Sequence, residues 1–108
     1  MSYNIIRTNK FEKEIKRLIK KFPSLKNEYA TLIIKLKTDP AFGTPLGNDC
    51  YKIRLSIASK NKGKSGGARI ITYLIVEDII VFLLTIYDKS EQDNISDKEL
   101  KAMIKELK

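Results

Sequence analysis

The sequence predicts an α+β fold, in which a largely antiparallel four-stranded sheet carries an N-terminal helical hairpin on one face and a C-terminal helix. Apolar and polar residues alternate strictly over 51–57, which is typical of a strand with two different faces. Two β-rich runs, 68–76 and 79–87, are separated only by an acidic pair and predict a tight hairpin. Ahead of these strands, residues 8–37 carry apolar side chains at helical spacing. The predicted element order is β-α-α-β-β-β-α.

The N-terminal third of the chain predicts one short strand and two helices. An apolar run at 3–7 is one strand-length long, and Thr8 or Asn9 then caps a first helix. Pro23 interrupts the helical pattern, and Ser24 begins a second helix that runs to about Lys37. With so short a link, the two helices should form an antiparallel hairpin packed on the sheet. Their apolar stripes are Phe11, Ile15, Leu18, Ile19 and Phe22, then Leu25, Tyr29, Leu32, Ile33 and Leu36.

Two segments rich in turn-forming residues flank the central strand. Residues 39–49 contain two prolines and two glycines and predict an irregular connection. Residues 59–67 contain three glycines among lysines and predict a mobile hairpin loop. Near the C-terminus, Ser96 and Glu99 have the spacing of a capping box, so we expect the last helix to begin there.

The composition indicates one soluble domain over residues 1–108 that binds a polyanion. The chain is 43% apolar, which is enough for one core, and it has 21 Lys+Arg against 13 Asp+Glu, a net charge of +8. This excess favours nucleic acid as the partner, ahead of an acidic protein or a lipid surface. No apolar run is long enough to span a membrane and residues 1–30 are too charged for a signal peptide, so we expect a cytoplasmic protein with no membrane partner.

Several kinds of active site are excluded by residues that the chain lacks. It contains no His and a single Cys, Cys50. Imidazole catalysis, a triad with a His base, an ordinary His/Cys zinc site and an internal disulfide are therefore excluded. An enzyme built from this sequence must use Lys, Arg, Tyr, Asp or Glu, and we expect neither a metal nor a cofactor.

Positive charge is concentrated around the predicted strands. Between Asp49 and Glu77 the chain has six basic residues and no acidic one. Alternation places Lys52 and Arg54 on one face of their strand, and carrying it through the next two strands extends that face. Three lysines of the Gly-rich loop are expected to attract RNA backbone, the alternative being a charged turn without a ligand. The set predicted on a helix-free face is Lys52, Arg54, Arg69, Tyr73, Thr85, Tyr87 and Lys89, and the loop lysines are Lys60, Lys62 and Lys64.

Such a surface suits a phosphodiester. Cleavage of RNA by its own 2′-hydroxyl needs a base near that hydroxyl, cations around the phosphorane oxygens and a proton for the departing 5′-oxygen. Arginine, with its forked donors, serves best as a fixed clamp on phosphate, whereas lysine can also exchange a proton. The polar face of an antiparallel sheet is equally compatible with simple solvation.

Three stretches, 51–54 (YKIR), 66–71 (GGARII) and 82–91 (FLLTIYDKSE), carry a resemblance to a known family, and the order of elements agrees over nearly the whole chain. The sequence is similar to the RelE/HigB-type toxins of bacterial toxin-antitoxin pairs. Those proteins are antiparallel-sheet ribonucleases that cut messenger RNA, commonly in the ribosomal A site, without a metal. The resemblance implies a single RelE-like domain whose partners are mRNA, the ribosome with its 16S rRNA, and a cognate antitoxin.

The resemblance also implies roles for individual residues. Lys52 and Arg54 match the basic positions on the central strand, Arg69 matches the phosphate-clamping arginine, and Lys89 matches the basic residue just past the last strand. Several members carry a Tyr or His shortly after that residue, and this chain has neither, so we assign Tyr87 instead. In this hypothesis the arginines hold the phosphate, Lys52 stabilises the developing charge or accepts the proton, and Tyr87 or Lys89 protonates the leaving oxygen.

Two other functions are compatible with the sequence. A ParE-like toxin would act on the same scaffold by binding a protein such as gyrase. A non-catalytic RNA-binding relative would bind RNA without cutting it. Asp88 and Glu91 are available as carboxylate bases, but we expect them to pair with neighbouring cations instead.

Overall fold

The structure, a computed structural model, describes residues 2–60 and 66–107. Its elements in chain order are β1 (Asn4–Arg7), α1 (Asn9–Lys21), α2 (Leu25–Thr38), β2 (Thr44–Gly47), β3 (Cys50–Leu55), a 3-10 turn (Ala58–Lys60), β4 (Ala68–Ile75), β5 (Ile80–Asp88) and α3 (Asp97–Glu106). Within these residues, no helix has the length and apolar character that a bilayer span requires.

Five strands form one mixed sheet in the order β1-β5-β4-β3-β2, with β1 parallel to β5 and the other neighbours antiparallel. The predicted fold class is confirmed, with one strand more than expected. The additional strand is β2, which lies in the segment predicted to be irregular. Pro45 and Gly47 are not typical of a strand, so the sequence pattern does not predict β2. An edge strand nevertheless tolerates proline, because one of its sides needs no backbone donor. Its pairing with β3 shifts register between these two residues.

The helical hairpin packs on one face of the sheet, as predicted. At the start of α1, Thr8 Oγ1 accepts a hydrogen bond from the Phe11 N–H at 3.2 Å. The same hydroxyl donates to the Leu83 carbonyl at 3.0 Å, which fixes the beginning of α1 to β5. The apolar side chains buried between hairpin and sheet include Phe11, Ile15, Leu18, Leu25, Leu32, Leu36, Ile53, Ile70, Leu83 and Ile86.

The opposite face of the sheet is covered in part by α3. This helix begins with the predicted capping box: Ser96 Oγ accepts from the Glu99 N–H at 3.1 Å, and Glu99 Oε1 accepts from the Ser96 N–H at 3.3 Å. The expectation of a helix-free face is therefore wrong, because the apolar stripe of α3 needs burial and the hairpin already occupies the other face. The buried members of this second cluster are Cys50, Ile71, Leu84, Tyr87 and Leu100.

A buried ion pair joins the end of β5 to the 3-10 turn. Lys60 Nζ contacts Asp88 Oδ1, and the two side chains are only 6% and 1% exposed. The same carboxylate oxygen accepts from the N–H of Ser90 at 3.0 Å and from its hydroxyl at 2.8 Å. Burial alone would raise the pKa of Asp88, but the bonds from Lys60 and Ser90 outweigh it and hold that pKa below its ordinary 3.8.

This pair changes the interpretation of the loop lysines. Lys60 was expected to attract RNA, but its ammonium is buried against Asp88 and lies 5.2 Å from the centroid of the Phe22 ring. Its role is therefore structural. Lys62 and Lys64, and most of the predicted loop, lie outside the described residues.

We expect Lys60→Met to lower the free energy of unfolding by about 3–5 kcal/mol near neutral pH, because it leaves a buried carboxylate without its cation. Since the pKa of Asp88 is lowered, the pair stabilises the fold above pH 3.8 and loses that contribution as the pH falls further. The deficit of the variant should therefore be largest near neutral pH and shrink in acid. Denaturant titrations at about pH 7 and about pH 3 measure both.

Lys101→Met is the matched control, because Lys101 also pairs with a carboxylate, Asp97 Oδ2 at 3.0 Å, but both side chains are 64% exposed. Its effect should stay within about 0.5 kcal/mol. Equal losses in the two variants would contradict a special role for the buried pair.

Candidate active site

The pairing of three strands brings the main candidate side chains into one row. Arg54 on β3 lies opposite Arg69 on β4, and Arg69 lies opposite Tyr87 on β5. Lys52 lies two residues before Arg54 on β3, on the same face, and is paired with Ile71. Directly paired residues point to the same face of a sheet, so these side chains share the face that α3 partly covers.

The row runs from solvent into the protein. Arg54 is exposed and Lys52 is half-buried, whereas Arg69 and Tyr87 are each only 5% exposed. The Arg69 guanidinium donates through Nη1 to the carbonyl of Ala68 at 3.1 Å. Tyr87 packs in the apolar cluster of α3 with Leu100. The exposed end of the row can meet a ligand directly, and the inner end is shielded.

Tyr87 combines a shielded hydroxyl with several charged neighbours. Burial raises the pKa of this phenol, the charge of Arg69 lowers it, and the carboxylates of Asp93 and Glu99 raise it. The net shift is upward, so the phenol keeps its proton at neutral pH. Its oxygen has no hydrogen-bond partner among the described residues. Tyr87 thus keeps a protonated hydroxyl in the same row as the guanidinium of Arg69.

Lys89 is held in place by the segment that follows β5. Its backbone N–H donates to the Gly67 carbonyl at 3.0 Å, which ties it to the start of β4. Its ammonium donates to the backbone carbonyl of Asp93 at 2.6 Å and to the carboxylate of the same residue. Hydrogen bonding to Lys89, and more weakly the charge of Lys52, holds the pKa of Asp93 below its usual range. Asp93 therefore lies as an ionised carboxylate near two of the predicted lysines.

The two sheet residues predicted to contact RNA have different surroundings: Thr85 is directed to the other face, whereas Tyr73 lies on the predicted face but packs in the apolar cluster. Thr85 is buried, and its hydroxyl donates to Glu14 Oε1 of α1 at 2.7 Å, so it is directed away from the proposed RNA face. Strict alternation predicts the wrong face for Thr85. The pairing of β4 with β5 shifts register between Ile71 and Thr72, and Leu84 is left without a paired residue on β4. Tyr73 is half-buried and stacks on Phe82 at a centroid distance of 6.4 Å, as part of the cluster under α3.

The remaining acidic and thiol groups have structural surroundings. Glu91 binds Arg17 at 3.0 Å and Lys21 at 3.6 Å, as expected for a carboxylate paired with cations. Burial raises the pKa of the Cys50 thiol to about 12, with a smaller contribution from Asp49. Cys50 is therefore unsuited to act as a nucleophile, which agrees with its predicted role as a small buried residue.

Comparison with known proteins identifies the family. The sequence model of the family described as the RelE toxin of the RelE/RelB toxin-antitoxin system matches residues 4–107. The chain belongs to the RelE toxin family. It is therefore a RelE-family toxin of a toxin-antitoxin system, which confirms the resemblance seen in the sequence.

Solved structures of E. coli RelE share the fold of this RelE-family chain at low sequence identity. A mutant of E. coli RelE in the free state gives a TM-score of 0.63 at 17% identity, with both chains fully covered. The intact E. coli RelBE toxin-antitoxin complex gives 0.63 at 20% identity, over 81% of this chain and 96% of that chain. Isolated E. coli RelE gives 0.53 at 20% identity, over 99% and 100%.

Sequence reasoning missed one residue of the site, Asp93. It has no periodic or motif signal, because it lies in an irregular segment between β5 and α3. In the segment after Lys89 the family resemblance directs attention to a Tyr or His, and Glu91 is the acidic residue considered there. The ion pair of Asp93 with Lys89 becomes visible only in the folded structure.

We expect Thr85→Val to lower the free energy of unfolding by about 1 kcal/mol, because it removes the hydrogen bond to Glu14 from a buried position. Under the ribonuclease hypothesis that the resemblance implies, RNA cleavage by the variant well below the melting temperature should equal that of the unaltered protein. Thermal denaturation and a cleavage assay measure the two effects. A loss of cleavage without a loss of stability would show that Thr85 contacts RNA, as the sequence predicted.

Tyr87→Phe should separate stability from activity. The variant removes a buried hydroxyl with no partner among the described residues, so the free energy of unfolding should stay the same or rise by up to about 1 kcal/mol. If the phenol donates a proton in the reaction, kcat should fall by about 100-fold or more. Unchanged kcat would leave Lys89 as the proton donor.

Proposed function

We propose that this RelE-family toxin is a metal-independent endoribonuclease that cuts mRNA on the ribosome by attack of the 2′-hydroxyl on the adjacent phosphate. The observation that carries the proposal is the strand register that aligns Arg54, Arg69 and Tyr87 across three neighbouring strands. Two guanidinium groups and a neutral phenol along one line are suited to hold a phosphate and to protonate an oxygen that leaves it.

Each side chain has a role that its surroundings support. Exposed Arg54 binds the incoming backbone first, and Arg69 then holds the equatorial oxygens of the phosphorane at the shielded centre. Lys52 stabilises the developing charge or accepts the proton of the 2′-hydroxyl. Tyr87, whose raised pKa keeps it protonated, donates to the 5′-oxygen, with Lys89 as the alternative donor.

The burial of Arg69 and Tyr87 implies a movement when RNA binds. The segment from Lys89 to Ile95 leads into α3, and Ile95 packs on the cluster that contains Tyr87. We propose that part of this segment moves aside when a phosphate binds at Arg69. The contact between Lys89 and the exposed carboxylate of Asp93 is a surface ion pair of the kind contributing at most about 1 kcal/mol, so a phosphate can replace it readily.

The proposed partners follow from charge and from the relatives. The net charge of +8 favours RNA, and α1 presents the exposed cations Lys13, Lys16, Arg17, Lys20 and Lys21 to mRNA or to the 16S rRNA of a ribosome. E. coli RelE is known in complex with its antitoxin RelB and with a RelB peptide. By analogy we propose that an acidic cognate antitoxin silences this chain in the cytoplasm.

We expect the double substitution Lys52→Ala/Arg69→Ala to relieve growth arrest and to lower cleavage of ribosome-bound mRNA by at least about 100-fold, because two of the three cations proposed at the phosphate are lost. The matched control is Lys26→Ala/Lys37→Ala, which removes the same charge from exposed positions on α2, across the sheet from the row. The control should retain toxicity. Growth curves after induction, and mapping of mRNA 5′-ends from purified ribosomes, measure both effects.

Each contrary result points to a specific alternative. Full toxicity of the Lys52/Arg69 variant would show that the assigned site is wrong. DNA breaks without mRNA cleavage would support a ParE-like toxin that binds gyrase. Salt-sensitive RNA binding without any product, even on ribosomes, would support a non-catalytic RNA-binding relative.

A further inference from the structure

A groove of about 340 Å³ lies between α2 and the outer edge of β3, beside Arg54. This volume is at the lower end of the range of about 300–1,000 Å³ seen for small-molecule sites. Most of its exposed lining surface is apolar, and its charged lining residues are Glu28, Lys35 and Arg54. The lining includes Thr31, Leu32 and Lys35 of α2, Phe42 of the α2–β2 connection, and Arg54 and Leu55 of β3.

One backbone position of β3 is unpaired at this groove. The pairing of β2 with β3 ends at Lys52, so β3 beyond that residue forms the edge of the sheet. A Cβ on Gly43 would lie 2.7 Å from the Lys52 carbonyl oxygen, and one on Gly67 would lie 2.1 Å from the Leu55 carbonyl oxygen. The backbone carbonyl of Lys52 thus points outward, toward β2, and that of Leu55 points toward β4.

Backbone groups of successive strand residues alternate in direction, so Arg54 presents its N–H and C=O outward, as Lys52 does. Among the described residues neither group has a hydrogen-bond partner on that side. The groove therefore offers one backbone donor and one backbone acceptor above an apolar floor.

The aromatic group of the groove is Phe42. Its ring is partly buried against the core, and the ammonium of Lys35 lies 4.7 Å from the ring centroid. The ammonium lies over the face of the ring, so a nucleobase that stacks there through its own π-face takes the place of Lys35. The edge of a base carries both donors and acceptors, which the backbone of Arg54 can match.

We propose that this groove is a nucleobase subsite, in which Phe42 stacks on the base next to the scissile phosphate and the Arg54 backbone hydrogen-bonds to its edge. The inference rests on the proposed ribonuclease function and adds base recognition to it. Arg54 would then act twice, through its side chain on the phosphate and through its backbone on the base.

An extended peptide strand is the other occupant that an open sheet edge attracts. Strand addition needs several successive outward-facing residues, and here β3 ends at Leu55, one residue after Arg54. One donor and one acceptor are too few for a strand but are sufficient for one base. The short edge therefore favours the nucleobase.

The test uses ribosomes programmed with mRNAs in which the nucleotide on either side of the cut carries its base or is abasic. For the unaltered toxin, removal of the base from one of these nucleotides should lower kcat/KM by roughly tenfold or more, the size expected for base–aromatic stacking. In the Phe42→Leu variant, the ratio of kcat/KM for intact mRNA to kcat/KM for abasic mRNA should fall close to one. Thr31→Phe, which fills the groove from an exposed position on α2, should have the same effect without changing the core.

Phe82→Leu is the matched control, because Phe82 is also half-buried and packs under α3 on Tyr73, away from the groove. This variant should keep the ratio of the unaltered protein. The inference is overturned if the unaltered toxin cuts intact and abasic mRNA equally well, or if Phe42→Leu and Thr31→Phe both retain the ratio. If the unaltered toxin cuts no mRNA at all, the proposed function itself fails, which is a different result from cleavage without base dependence.

Discussion

The register of β4 between β3 and β5 determines where the functional side chains of this protein lie. Arg69 is paired on one side with Arg54 and on the other with Tyr87. A slip by one residue would turn Arg69 toward the helical hairpin and would bring Ile70 into the row. The register is fixed because each face of β4 packs in a different apolar cluster, with Ile70 in one and Ile71 in the other. The packing of the core and the placement of the cations are thus one constraint.

Local sequence signals predicted much of this fold. Thr8 and Ser96 cap their helices as expected, and alternation correctly placed Lys52 and Arg54 on one face. Local signals failed where tertiary contacts decided the outcome. Thr85 turned to Glu14 because of a register shift that no pattern announces, and Lys60 was buried by Asp88, a residue 28 positions away. The short strand β2 exists only because β3 offers it a partner.

The sequence predicted which cations form the candidate site, but it did not predict that part of the site is buried. Composition and the family resemblance pointed to Lys52, Arg54, Arg69 and Lys89, yet they gave no sign that Arg69 and Tyr87 would be covered. The irregular segment after β5 packs on the cluster of Tyr87 through Ile95, and it also makes ionic contacts. Glu91 binds cations of α1, and Asp93 binds Lys89. Since such contacts are screened by salt, they should hold this segment less firmly as the ionic strength rises.

The parallel pairing of β1 with β5 joins residues that are far apart in the chain. Asn4–Arg7 is adjacent in the sheet to Ile80–Leu83, so the first strand has no neighbour until most of the polypeptide exists. Contacts between such distant segments form late, because a long loop must close before they contribute. During translation, the first sixty or so residues can form their helices but not the sheet that aligns Arg54, Arg69 and Tyr87. A nascent copy of this chain therefore has no assembled row until Tyr87 of β5 has been synthesised.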